Sequence, residues 1–126
     1  MKKIALLAAC AALTATPVLA DTAAEISKAQ MHAGLAAKAT DVKMVQMHLH
    51  HAVNCLVGPS GQGFDASNAN PCGKDGNGAI ADATDAGQKA KLQAAVADAT
   101  SGINATDLAS AQKAAQTTAD AIGAAK

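Results

Sequence analysis

Aromatic residues are nearly missing from this chain: of 126 residues none is Trp or Tyr, and Phe64 is the single Phe. Arginine is absent, so all ten basic residues are lysines, and they are scattered. These two absences exclude an ordinary nucleic-acid surface, which needs clustered Lys and Arg interleaved with stacking rings. Long apolar runs are also missing after residue 20. Nothing there approaches the roughly 18 consecutive apolar residues of a membrane span, so no span is expected in that part. Large apolar side chains are few, and most of the apolar content is alanine. A chain of this kind buries little area per residue, and small domains with such cores usually rely on a disulfide, a metal or a partner subunit.

The first twenty residues read as an address. Lys2 and Lys3 form a positive n-region, Ile4 to Leu13 an apolar h-region, and Val18, Leu19 and Ala20 a small-residue cleavage site before Asp21. This is the layout of a bacterial secretory signal peptide over 1–20, and it implies a periplasmic or secreted protein. A competing reading takes Leu7, Ala8, Ala9 and Cys10 as a lipobox, with Cys10 lipidated, although few apolar residues precede it. Residues 21–126 then make one small helical domain with eight lysines against ten acidic residues, a net charge of −2.

Alanine, lysine, glutamine and leucine dominate 22–57 and 86–123, and both segments read as helix. Thr22 with Glu25 three residues later matches a capping box, while Val57, Gly58 and Pro59 supply a stop. Within the first segment, Met31, Leu35, Val42, Val45, Leu49, Val53 and Leu56 keep one apolar stripe. A second stripe, nearly opposite, runs through Ile26, Ala29, Ala33, Ala37, Thr40, Met44, His48, His51 and Cys55. The register survives passage through Thr40 and Asp41, which favours one long helix. The fold expected is therefore all-α: a long antiparallel helical hairpin, with a homodimer burying the second stripe, or a small four-helix bundle if Thr40 breaks the helix as an N-cap.

In the second segment, Leu92, Val96, Ala99 and Ile103 form a stripe that Leu108, Ala115, Ala119 and Ile122 continue only after a phase jump. A break is expected at Gly102 to Asn104, with Thr106 and Asp107 restarting the helix. Both halves carry Ala-Thr-Asp near their midpoints, a hint of two equivalent hairpins. Residues 58–85, rich in Gly, Asn, Asp and Pro, form a long loop. Loops of that length need a function or a tie, and a Cys55–Cys72 disulfide provides one. Exactly two cysteines follow residue 20, in a chain that reads as exported, so the disulfide is preferred to a Cys-His zinc site.

The chemistry concentrates in Met44, Met47, His48, His50, His51 and Cys55. Met44 with His48 and Met47 with His51 are i, i+4 pairs, and His48 with His51 is i, i+3, spacings at which neighbours share one ion. Thioethers favour Cu(I), whereas imidazole also suits zinc, iron and nickel. Met44, Met47, His48 and His51 are thus the candidate copper site, with His50 serving a looser accessory site and zinc the other candidate ion. His32 joins only if the chain turns near Thr40, because on a straight helix it lies about 24 Å from His48.

The plain alternative makes Met44 and Met47 core fillers and sets the histidines along an interface. Haem held noncovalently by a Met and a His is a third reading, although few large side chains are present to line its pocket. Asp75-Gly76-Asn77-Gly78 opens like a calcium loop, but Ala79 stands where the next oxygen ligand belongs and no glutamate closes the loop, so it reads as a turn. No nucleophile-and-base constellation, paired glutamates on the helices or phosphate-cradling loop is present, and no enzymatic activity is expected. The functional expectation is an exported metal-binding protein that buffers or passes copper, or else a helical interaction module.

Overall fold

The computed structural model describes residues 20–126. The expected signal peptide, apart from Ala20, and the Cys10 lipidation alternative lie outside the described residues. Five helices follow in order: α1 (Thr22–Lys38), α2 (Val42–Val57), a single turn α3 (Ala79–Asp82), α4 (Ala86–Ile103) and α5 (Leu108–Gly123). There are no strands among the described residues. Helix α1 packs on α2 and α5, and α4 packs on α5 and α2, which closes a small four-helix bundle. Two cross-links give the sense of packing: Gln30 Nε2 donates to Ala119 O, and Gln112 Nε2 to Ala39 O. Numbers rise along α1 as they fall along α5, so the two helices run antiparallel.

The long helix expected over 22–57 is broken. Helix α1 stops at Lys38, Ala39 turns to extended backbone (ψ 145°), and Asp41 caps α2 by accepting from Met44 N–H at 2.9 Å. The cap is therefore Asp41 and not Thr40. A cap of this kind is worth about 1 kcal/mol, and a free helix has no comparable reason to restart here. The stripes explain why the register looked continuous. Helix α1 buries the second stripe, with Ile26, Ala29 and Ala33, and leaves Met31 and Leu35 exposed. Helix α2 buries the first, with Val45, Leu49, Val53 and Leu56. Two one-sided helices had resembled one two-sided helix, and with the turn in place the opposed stripes no longer call for a second subunit.

The capping box is also revised. Asp21 caps α1 by accepting from Ala24 N–H at 2.9 Å, Thr22 is already helical, and Glu25 turns inward to the 58–85 loop. The break expected near 102–104 is present, and Asp107 caps α5 through Ser110 N–H at 2.9 Å.

A few large side chains, Leu49, Leu56, Leu92, Ile122 and Val45, are fully buried, and fully buried alanines such as Ala29, Ala52, Ala95 and Ala115 fill the space between them. The loop is fastened at three points. Cys55 and Cys72 are bonded, with Cα atoms 5.1 Å apart. Asn54, fully buried, donates from Nδ2 to the carbonyls of Asp65 (2.9 Å), Asn68 (3.3 Å) and Ala69 (3.1 Å), and its Oδ1 accepts from Asp65 N–H at 2.9 Å. At the third point Gly58, with φ +67°, ends α2 directly against the backbone of Asn77, where a Cβ would overlap Asn77 O. Gly58→Ala is expected to cost 2 kcal/mol or more, about the sum of left-handed strain and a lost backbone contact, measured as a lower urea midpoint at unchanged m-value.

Candidate metal centre

The turn at 39–41 folds α1 back on α2 and carries His32 to His48 and His51. One ring nitrogen from each of the three lies within 4.8 Å of the other two. His32 Nδ1 and His48 Nδ1 are 3.3 Å apart. Metal–nitrogen bonds of 2.0–2.1 Å at a tetrahedral angle separate two ligand nitrogens by about 3.3 Å, so this pair already has ligand spacing. The rings are mutually tilted or edge-on, with centroids 5.0 to 5.8 Å apart, so their nitrogens converge without stacking.

The electrostatics suit a cation. Burial, then His51 and His48, lowers His32 to about 4. His51 is lowered by burial, then by His48 and His50. These imidazoles are neutral at pH 7 and carry free lone pairs, the form a metal requires. Nδ1 of His51 is buried without a hydrogen-bond partner, an orphan that the packing alone does not account for.

No family model, curated protein or solved structure matches the chain. The site therefore rests on its own chemistry.

Of the residues singled out in the sequence, His48 and His51 meet in this cluster. His50 points elsewhere: its Nδ1 lies 3.3 Å from Asp65 Oδ2, on the loop side of α2. That carboxylate is held down to about 2, chiefly by the Ser67 hydroxyl and N–H, with Asn68 adding to them. Met44 and Met47 stand one helical turn before His48 and His51 and are 45% and 37% exposed. They do not fill the core. Cys55 is taken by its disulfide. His32 is the member that sequence reasoning admitted only on condition of a turn, and the cap at Asp41 is the signal that brings it in.

Proposed function

We propose that the protein binds a transition-metal ion, copper before zinc, through His32, His48 and His51, and serves as an exported holder or carrier of that ion. The observation that carries this reading is the convergence of three imidazoles from two helices, one of them with a buried, unpartnered nitrogen. Three histidines form a complete set for a site that keeps one position open, which suits both capture and release. Copper is preferred because Met44 and Met47 offer exposed thioethers one turn from His48 and His51, and Cu(I) favours such soft donors. Export is supported by the signal-like residues 2–20 and by the disulfide, which persists in oxidising compartments.

Metal-free protein titrated with Cu(I) against a chromophoric chelator, and separately with Zn(II), tests the reading. One ion should bind per chain, and His32→Ala should weaken it at least tenfold, about 1.4 kcal/mol, with helicity by circular dichroism unchanged. Parent-like affinity for both ions in that variant would take His32 out of the site, and a parent that binds neither ion would remove the metal reading and leave the interaction module in its place.

A further inference from the structure

The loop Asp75-Gly76-Asn77-Gly78 begins like a calcium loop and lacks the later oxygen ligands in sequence. In the fold a carboxylate arrives from far upstream. Glu25 of α1 is fully buried and aimed into this loop, where its Oε1 accepts from Gly78 N–H at 2.8 Å. Its Oε2 is buried and has no hydrogen-bond partner. Asp82 of α3 reaches the same place: a Cβ on Gly76 would clash with Asp82 Oδ2 and stand 2.8 Å from Glu25 Oε1. Asn77 holds Asp82 in position, donating from its backbone N–H to Oδ2 at 2.6 Å and from Nδ2 to Oδ1 at 3.1 Å.

The surroundings add negative charge. Asp75 and Asp21 lie near enough to act on Glu25. Lys28 reaches this group, pairing with Asp75 Oδ2 at 2.6 Å. A buried carboxylate oxygen without a donor is costly, and a second carboxylate beside it raises the cost. A cation removes both penalties at once.

We propose that Glu25 and Asp82 bind a hard divalent cation, calcium, against the Asp75–Gly78 loop, as a second site distinct in position and chemistry from the histidine cluster. Oxygen donors select calcium over the softer ions that imidazole prefers. The cation's competitor is a proton. A carboxylate that binds a proton gives up that oxygen as a ligand. The site ties α1 to the loop and α3, and its ligand acts on stability.

The test is thermal unfolding of metal-free protein at about pH 8, with and without calcium in the millimolar range typical of extracellular modules. Calcium should raise Tm by about 3 °C or more, and magnesium by less. Glu25→Gln, which keeps an acceptor for Gly78 but no charge, should abolish the shift. Asp82→Asn, on the partly exposed single turn α3, should reduce it and serves if the first variant folds poorly. The shift should persist in His32→Ala, which separates this site from the histidine cluster. A parent Tm indifferent to calcium means that Glu25 holds a proton only, and the proposal falls. A full shift retained in both carboxylate variants places the binding elsewhere and overturns it equally.

Discussion

Reduction of the Cys55–Cys72 bond is expected to lower the unfolding free energy by about 3 kcal/mol. The bond closes a loop of 17 residues, and the chain-entropy relation gives about that value for the freedom it removes from the unfolded chain. Small alanine-filled cores have little stability in hand, commonly about 5–10 kcal/mol for a domain of this size. The loss is therefore a large share of the total. Sulfur chemistry adds no compensating bond: Cys72 Sγ lies 3.8 Å from Glu25 O, but in the disulfide it has no proton to donate. Urea unfolding followed by circular dichroism, with and without reductant, measures the difference. Cys55→Ser with Cys72→Ser should reproduce it, and a paired variant within 1 kcal/mol of the oxidised parent would show that Asn54 and Gly58 hold the loop unaided, an outcome against this prediction.

Opposite pH dependences from buried Glu25 and half-buried His32 are the second large effect, in metal-free protein without calcium. Glu25 has a folded value raised to about 7, so between its unfolded value near 4.5 and 7 the folded state binds the extra proton. Its contribution to stability is therefore present at low pH and is lost as pH rises through that window. His32, lowered to about 4, behaves oppositely: the unfolded chain binds the extra proton between about 4 and 6.5, so its contribution grows as pH rises. Each shift corresponds to about 3 kcal/mol at most. Between pH 4.5 and 6.5 the two largely cancel. The parent should therefore show a shallow stability profile there, Glu25→Gln one that rises with pH because His32 and the likewise lowered His51 remain, and His32→Ala one that falls relative to the parent. Glu25→Gln should also exceed the parent in stability at pH 8, because the buried charge is gone and Gly78 keeps its acceptor. Denaturant midpoints across pH 4.5 to 8 decide this, and parallel profiles for all three proteins would contradict it.

The all-α class, the disulfide and the second break were legible because each rests on local signals: composition, two remaining cysteines, a phase jump at Gly102. The first break was misread because Met31 and Leu35 extend the stripe of Val45 and Leu49 without a phase change, although in the fold they face water. A better signal was present. Ala-Thr-Asp occurs three times, at 39–41, 83–85 and 105–107, and in each the Asp caps a helix by accepting from the N–H three residues on. Reading all three as caps would have divided the chain correctly and admitted His32. Glu25 was not legible at all. Its buried role depends on Gly78 and Asp82, more than fifty residues away, and the same residue satisfied a local capping pattern.

The triad and the disulfide close two loops that follow one another along the chain without overlapping, His32 to His48 over 16 residues and Cys55 to Cys72 over 17. Only the disulfide persists in the unfolded chain and removes entropy from it, whereas the histidine contact exists in the folded state alone. Both end on α2, which makes that helix the shared post of two consecutive clasps. The α4–α5 hairpin lies beyond the disulfide loop and is held by buried Leu92 and Ile122, by alanine packing and by the side-chain amides of Gln30, Gln46 and Gln112. Hydrogen exchange is therefore expected to be faster in the α4–α5 hairpin than in the backbone around the Cys55–Cys72 bond.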